Sequence, residues 1–426
     1  MPPLHRQVQP RNRSGARGDN NDRADCGHFM TLKSRLSRLQ AQAGHSGTDA
    51  TSKPTVPQLR RRLANLRQQQ PSAPAPAGSG ALPVEALAER LGGELIAGGV
   101  IRIHNRIPLA ELPGCGNPCT PDPVLPGEDG AGSHRNIYID TETTGLSGGS
   151  GTIAFLIGIA VVTEPSVELT QFLLTRFSAE SALLSSLSQC LSPDDRLVSY
   201  NGKSFDLPLL HTRYRMQALA QPLGGLPHLD LLHPVRRLFG RRWPDCRLLT
   251  LERELLGFSR DDDLPGSEAP MAWFDYVRRR HAGGLVRIVE HNRQDIASLP
   301  AAHSALARAV AEPQASGVDL PALARWLAEH NEAAARALLH QHAATLCNDG
   351  RRLLGHYCRR AGDWPQAVAL WDALAASGCT DSLLRLAKYH EHISGDLDAA
   401  RECCDRLPMD AALAHRRRRI DRKLGT

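Results

Sequence analysis

Residues 136–145 read Asn136-Ile137-Tyr138-Ile139-Asp140-Thr141-Glu142-Thr143-Thr144-Gly145, an apolar run that ends in two carboxylates and a glycine. The pattern predicts a strand over 137–140 that is followed by a turn. In a strand, residues i and i+2 point to the same face of the sheet. Asp140 and Glu142 can therefore face one cation together.

Two further acids lie in separate segments. Asp206 follows Phe205 at the start of a predicted helix, and Asp295 lies on a predicted apolar helix, where an unpaired charge would be unfavourable. Each acid alone is typical of a surface carboxylate or a helix cap, but their joint occurrence predicts a shared site. Carboxylate oxygens are the ligands that hard cations such as Mg²⁺ and Mn²⁺ prefer.

The three acidic segments resemble, in order and spacing, the motifs of the DEDD (DnaQ-like) branch of the RNase H-like superfamily. Asp140-Thr-Glu-Thr-Thr-Gly145 is similar to the first motif, Asn201-Gly-Lys-Ser-Phe-Asp206 to the second, and His291-Asn-Arg-Gln-Asp295 to the third. The Gly-rich stretch at 145–152 and the segment His228-Leu-Asp-Leu-Leu-His233 also resemble the YprB-like subgroup of predicted exonucleases. The resemblance covers residues 136–310.

This resemblance implies a 3′→5′ exonuclease that hydrolyses phosphodiester bonds of single-stranded DNA or RNA with two Mg²⁺ or Mn²⁺ ions. Two ions about 4 Å apart stabilise both the attacking and the leaving oxygen. The implied metal ligands are Asp140, Glu142, Asp206 and Asp295. The implied catalytic residues are these four acids together with His291.

His291 is the candidate general base. It precedes Asp295 by four residues, which places both side chains on the same face of a helix. A neutral imidazole accepts a proton near neutral pH. In the DEDDh branch the histidine stands five residues before the last Asp, whereas in the DEDDy branch a tyrosine stands four before it. The chain thus has a histidine at the tyrosine spacing, and a helix-surface histidine is the alternative interpretation.

Four residues beside the acids are candidates for substrate binding: Thr143, Asn201, Lys203 and Phe205. A turn-forming Asn201 and a solvated Lys203 are the alternative. Asp230 is a reserve ligand or a residue that supports one, because it lies in or at the end of a predicted strand.

A basic cluster surrounds Trp243 and consists of Arg236, Arg237, Arg241, Arg242 and Arg247. Positive charge around an aromatic ring is typical of a surface that binds single-stranded nucleic acid. An exposed helix end explains the same pattern.

The region 136–312 is the predicted nuclease domain. Strands are predicted at 137–140, 152–162, 167–175, 197–200 and 229–232, with helices at 179–191 and 205–218. Three successive strands followed by alternation with helices predict an α/β fold, a mixed five-stranded sheet flanked by helices. RNase H-like folds resemble this arrangement.

Residues 1–82 are rich in Arg, Gln, Pro, Gly and Ser, and we expect a disordered basic segment. A true start at Met30 is plausible, because almost nothing apolar precedes it. Residues 83–135 predict a small lead-in, with a short strand at 99–104, and a Pro/Gly-rich linker. The linker contains Cys115 and Cys119, which supply only half of a structural zinc site.

After residue 313 the pattern is helical and repeats every 33 residues. Ala334, Ala367 and Ala400 fall in register, which resembles a degenerate tetratricopeptide array over 313–415 with a possible protein partner. A nonrepeating helical bundle is the alternative. The last residues, 416–426, read as a basic tail.

The whole chain has 426 residues and a formal net charge of +6. It lacks an apolar run of membrane-spanning length, and its ten cysteines are scattered, which favours the cytoplasm over a compartment where a disulfide framework forms. Two other functions remain open on the sequence alone. One is a catalytically weak nucleic-acid-binding adaptor, and the other is an RNase H-like endonuclease.

Overall fold

A computed structural model describes residues 81–114, 123–128, 134–145, 151–260 and 266–425. The predicted basic segment up to residue 80, with the alternative start at Met30, lies outside the described residues. The Cys115 and Cys119 pair lies outside them too.

The strands of the described region form one seven-stranded sheet in the order β1-β2-β5-β4-β3-β6-β7. They are β1 (Gly93–Leu95), β2 (Val100–Pro108), β3 (Arg135–Thr143), β4 (Ala154–Thr163), β5 (Ser166–Leu174), β6 (Asp195–Ser199) and β7 (His228–Asp230). β3, β6 and β7 run parallel, and the remaining neighbours pair antiparallel. The predicted mixed sheet is confirmed.

The predicted count of five strands is wrong, because β1 and β2 extend one edge of this sheet. β2 pairs with β5 along its whole length, from Val100 opposite Leu174 to Pro108 opposite Ser166. The alternation at 99–104 indicates a strand, but it carries no information about a partner so far along the chain. The predicted lead-in therefore contributes to the same sheet as the predicted nuclease domain.

Seven helices accompany the sheet in the described residues before 313. They are α1 (Val84–Arg90), α2 (Glu180–Gln189), α3 (Asp206–Met216), α4 (Leu232–Phe239), α5 (Leu248–Leu251), α6 (Ala269–Arg279) and α7 (Gly283–Ala311). A π-helical turn over Glu252–Leu256 continues α5. Among the described residues, none of the helices is both long and apolar enough to cross a bilayer.

Both faces of the sheet are covered by apolar side chains. Ile137 and Ile139 of β3 belong to one buried cluster, which also contains Leu210 of α3. Tyr138 points to the other face and belongs to a second cluster with Leu306 of α7. Strand alternation therefore decides which face each residue of β3 joins.

The 29-residue helix α7 packs across β3, β4 and β5. It carries His291, Asn292 and Asp295 in the part that lies against these strands. Because β3 carries Asp140 and Glu142, this packing brings the first and third acidic segments together.

Residues 313–425, all of which the structure describes, contain helices and no strand. The helices are α8 (Leu320–Ala328), α9 (Glu332–Gln341), α10 (Asn348–Arg360), α11 (Trp364–Ala376), α12 (Thr380–Tyr389), α13 (Leu397–Asp405) and α14 (Ala411–Leu424). Consecutive helices pack against one another around a third apolar cluster.

Five of these helices, α8, α9, α11, α13 and α14, begin with a side-chain cap, and three of the five caps lie in the predicted repeat. The side chains of Asn331, Asp363 and Asp396 precede α9, α11 and α13, and each accepts a hydrogen bond from the backbone N–H three residues later. Such a cap satisfies an N–H that has no partner within the helix. The predicted repeat of the sequence therefore coincides with three of these helix starts.

The register of the small residue differs from the prediction in the first repeat. Ala335, Ala367 and Ala400 are fully buried, and each lies four residues after its cap, whereas Ala334 is only partly buried. The predicted 33-residue spacing is therefore wrong by one residue in the first repeat. The cap at Asn331 precedes the cap at Asp363 by 32 residues.

The predicted basic tail begins inside α14 rather than after the fold. Arg416, Arg419 and Lys423 of this helix converge on the buried carboxylate of Glu391, at 2.5, 2.6 and 3.5 Å. Part of the terminal positive charge therefore holds the helical region together.

Part of the basic cluster around Trp243 also contacts other residues of the protein. Arg237 of α4 pairs with Glu329 at 2.9 Å and lies over the ring of Trp326, both from the helical region. Trp243 stacks on Phe239 with ring centroids 4.2 Å apart. These contacts join α4 to the helical region and favour the structural explanation of the cluster.

Candidate functional site

The site is built at the carboxyl end of β3. Asp140 and Glu142 point to one side of the strand, and the pairing with β4 shifts register between Glu142 and Thr143. Glu142 is buried, with 9% of its surface exposed. The strand therefore delivers two carboxylates to the place where its regular pairing ends.

Asp206 reaches the same strand end from the opposite face. It is the first residue of α3 and is buried, and its carboxylate accepts a hydrogen bond from the hydroxyl of Thr141. By strand alternation Thr141 points away from Asp140 and Glu142. Asp206 thus approaches the end of β3 beside the first two acids and from its other side.

The turn before α3 is held by Asp230. Its carboxylate accepts the backbone N–H of Asn201 at 2.7 Å, of Lys203 at 3.1 Å and of Leu232 at 3.1 Å. Asn201 has a φ of 68°, a left-handed conformation that asparagine tolerates. These bonds support the reading of Asp230 as a residue that positions the Asp206 turn, and of Asn201 as a turn residue.

His291 and Asp295 of α7 face the acids of β3. The Nε2 atom of His291 lies 3.7 Å from Oε1 of Glu142 and 3.6 Å from Oδ2 of Asp295. The imidazole is 13% exposed. The structure thus brings the candidate base between a carboxylate of the first segment and one of the third.

The other three acids all lie close enough to Asp140 to affect its pKa. Burial raises the pKa of the Asp140 carboxyl well above its usual range, and the negative charges of Asp295, Asp206 and Glu142 raise it further. Burial also raises the pKa of Asp206 to about 6, against the hydrogen bond from Thr141. The shift of the Asp140 pKa therefore reflects the negative charges of three neighbouring acids in addition to burial.

A chain of buried amides holds Asp140. Asn292 donates from Nδ2 to Oδ2 of Asp140 at 2.7 Å, and Gln171 of β5 donates to Oδ1 of Asn292 at 2.8 Å. Gln171 and Asn292 are both fully buried. Asn292 lies inside the third motif, but no sequence signal connects it with Gln171.

A buried guanidinium holds Asp295. Nη1 of Arg260 lies 2.6 Å from Oδ1 of Asp295, and the same guanidinium pairs with Glu252. The side chains of Arg260 and Glu252 are each 1% exposed. Sequence reasoning missed both residues, because they lie outside the three motifs and in no recognisable pattern.

The other substrate-binding candidates lie around the acids in different surroundings. Phe205 is 55% exposed next to Asp206, and Lys203 is exposed on the same turn. Thr143 instead donates a hydrogen bond to the backbone carbonyl of Gly145 at 3.0 Å and so shapes the turn after β3.

Within the described part of the chain, no three His, Cys, Asp or Glu side chains stand close enough to ligate a metal ion as they are oriented. The donor chemistry nevertheless fits a divalent cation. Four carboxylates converge, and their mutual repulsion is visible in the raised pKa of Asp140. Asn292 and Arg260 each contact one oxygen of an acid, so the second oxygen would be the one to meet a cation.

Comparison with known proteins agrees with this fold. Residues 137–307 match a family model described as the RNase H superfamily. The chain is also 33% identical over 299 residues to "Uncharacterized protein YprB" of Bacillus subtilis (strain 168), a match that covers 66% of this chain and 71% of that protein. The matched stretch of the family model contains all four acids and His291. The chain therefore belongs to the YprB family, within the RNase H superfamily.

Proposed function

We propose that the chain is a divalent-metal-dependent nuclease, and more specifically a 3′→5′ exonuclease on single-stranded DNA or RNA. The observation that carries this proposal is the convergence of Asp140, Glu142, Asp206 and Asp295 on one strand end, with His291 between two of them. Nucleases of RNase H-like fold generally use divalent metals, which supports the same reading.

Mg²⁺ or Mn²⁺ held by these four acids would supply the charge that stabilises the attacking and leaving oxygens of the phosphodiester. The protein contributes the positions of the acids. Asp140 is fixed by Asn292, and Asp206 by Thr141. Donors of this kind hold a ligand oxygen in the orientation that a cation requires.

His291 is the proposed general base. Its Nε2 atom faces the acids, where a water molecule bound among them would lie within reach. A neutral imidazole accepts a proton from that water near pH 7. The neighbouring carboxylates of Glu142 and Asp295 stabilise the imidazolium that forms.

Single-stranded substrate is supported by the exposed residues beside Asp206. Phe205 offers a ring for base stacking, and Lys203 offers a positive charge for the phosphate backbone. Both belong to the turn that positions an acid, so a bound strand would be placed directly over the carboxylates.

The helical region is proposed to be a tetratricopeptide-like module that binds a protein partner. The repeated caps at Asn331, Asp363 and Asp396 support a repeat architecture. We place the protein in the cytoplasm, because the seven cysteines in the described residues are all free.

The decisive experiment uses 5′-labelled single strands of DNA and RNA with the full chain and Mn²⁺. We expect the full-length strand to shorten through a ladder, and Asp140→Ala to abolish it. Glu290→Ala is the control, since this acid lies on α7 next to His291 but is exposed and pairs with Arg293. Circular single strands should stay intact.

Two results would contradict the proposal. Cutting of the circles would show an RNase H-like endonuclease instead. Binding of labelled strands without cleavage at any Mn²⁺ concentration would show a nucleic-acid-binding adaptor.

A further inference from the structure

We propose that Arg260 is a positioning residue for Asp295, which it holds by one carboxylate oxygen so that the other serves as a single-oxygen ligand for a divalent cation. This inference rests on the proposed function, because it takes Asp295 to be a metal ligand. It adds a buried cation to a site that is otherwise described by its acids.

The geometry divides the two oxygens of Asp295 between two neighbours. Oδ1 lies 2.6 Å from Nη1 of Arg260, which makes the two side chains an ion pair. Oδ2 lies 3.6 Å from Nε2 of His291, on the side where Glu142 also lies. Rotation of the carboxylate would lengthen the contact with Arg260, so the ion pair favours the observed orientation of Oδ2.

The positive charge of Arg260 is compensated by the carboxylate of Glu252. Nε and Nη2 donate to the two carboxylate oxygens of Glu252 at 2.9 and 2.5 Å. Arg260 and Glu252 together are therefore close to neutral, and Asp295 keeps its negative charge for a cation. Without Glu252, an uncompensated guanidinium beside a metal ligand would oppose metal binding.

The alternative is that Arg260 and Glu252 only fasten the π-helical turn to α7. A purely structural role requires the buried ion pair, but it does not require Asp295 to bind metal. The chain offers a matched pair for comparison in Arg213 and Glu180, which join α3 to α2 through two hydrogen bonds of 2.5 and 2.6 Å. The side chains of this second pair are 8% and 5% exposed.

The test replaces each pair with apolar residues of similar size. Such replacement of a buried ion pair is often neutral or stabilising, whereas removal of one partner leaves a buried charge. The double variants are Glu252→Met with Arg260→Met, and Glu180→Met with Arg213→Met as the control. Free Mn²⁺ is measured by electron paramagnetic resonance in titrations of the full chain without nucleic acid, and the Tm of each variant is measured without metal.

We expect the Arg260 double variant to keep a cooperative melt and to bind Mn²⁺ at least about tenfold more weakly, the size of effect seen when a group supporting a metal ligand is removed. The control should bind Mn²⁺ as the wild type does. Glu252→Gln, which leaves the guanidinium uncompensated, should also weaken Mn²⁺ binding. If the Arg260 double variant fails to fold, the Glu252→Gln result decides.

Unchanged Mn²⁺ affinity in the Arg260 double variant, or in Glu252→Gln, would overturn the inference. An equal loss in the control would overturn it too, since the effect would then follow from any disrupted ion pair. A wild type that binds no Mn²⁺ overturns it as well. A wild type that binds Mn²⁺ but cleaves no strand would refute the proposed nuclease alone.

Discussion

Three acids of the site receive contacts from three different chemical groups. An amide donates to Asp140, a hydroxyl to Asp206, and a guanidinium pairs with Asp295. The amide and the hydroxyl are neutral, so they orient a carboxylate without cancelling its charge. The guanidinium carries a charge, and Glu252 compensates it. The acids are therefore held in place without a net positive charge added beside them.

Substitution of His291 should change the catalytic rate without changing the stability of the fold. We expect His291→Gln to lower kcat about 100-fold, the usual contribution of a general base, with little change in KM or Tm. His291→Tyr should retain part of the activity with a profile shifted to higher pH, because a phenol has a pKa near 10. The measurement is kcat against pH on single strands with Mn²⁺.

The control for His291 is His281→Gln. His281 is 54% exposed and lies 3.3 Å from Asp275. This variant should match the wild type at every pH. A His291→Gln protein with wild-type kcat would remove the histidine from the mechanism.

The acids could be found from the sequence because each has a local pattern. Asp140 and Glu142 follow from period-two alternation, and His291 and Asp295 from helical spacing. Arg260 could not be found in this way. Its role depends on a turn that folds back against α7, and arginine is common on surfaces. Residues that support a site through long-range packing leave no periodic trace.

At the level of elements, the site depends on how closely α7 approaches β4. Gly158 stands directly opposite Asp140 in the sheet. A Cβ atom at this glycine would lie 2.4 Å from Oδ1 of Asn292 and 2.9 Å from Cγ2 of Ile296. Glycine therefore permits the helix to lie near enough for Asn292 to reach Asp140.

Gly158→Ala tests this packing. We expect a loss of about 1 to 3 kcal/mol in the free energy of unfolding, as is typical of overpacking. Cleavage should fall as well, because Asn292 must move and Asp140 loses its donor. Urea unfolding and the strand-cleavage assay measure the two effects.

Gly283→Ala is the matched control on α7, since a Cβ atom there would meet nothing within 4 Å. It should leave both stability and cleavage near the wild-type values. A Gly158→Ala protein that is as stable and as active as the wild type would show that the helix and the sheet tolerate a wider separation.

The fold, like the site, could be predicted only where a local sequence pattern specifies it. β3, β4, β5 and β6 could be predicted because each is an apolar run bounded by turn residues. The place of β2 could not, since its partner β5 is specified by packing in three dimensions. The error at Ala334 has a similar cause, because the register follows the cap at Asn331 rather than a fixed period.

At the level of the whole molecule, the boundary between the sheet region and the helical region uses part of the basic cluster around Trp243, for which the sequence left both nucleic-acid binding and an exposed helix end open. Arg237 contacts Glu329 and Trp326, and the backbone N–H of Asp319 donates to Leu238 at 3.0 Å. The charge of Arg237 is therefore explained by contacts within the protein. The surface that we propose for the substrate is the exposed turn at Lys203 and Phe205.

The stability of the whole molecule should depend on pH through His303, which is fully buried on α7. Its Nδ1 atom lies 3.2 Å from the hydroxyl of Tyr138, and Nε2 lies 4.0 Å from a carboxylate oxygen of Glu128. Burial, with a further contribution from the charge of Arg196, lowers the pKa of His303 from 6.5 to about 3. The imidazole is thus neutral in the folded protein.

As the pH falls below about 6.5, the unfolded chain binds a proton at His303 and the folded chain does not. The stability from this group is complete above that pH, declines by about 1.4 kcal/mol per pH unit, and is lost by about pH 3. We therefore expect the wild type to lose its stability advantage over His303→Gln as the pH falls from 7 to 4. Urea unfolding at each pH measures this difference, and His281→Gln serves as the exposed control. Parallel pH curves for wild type and His303→Gln would show that His303 takes up its proton equally in both states.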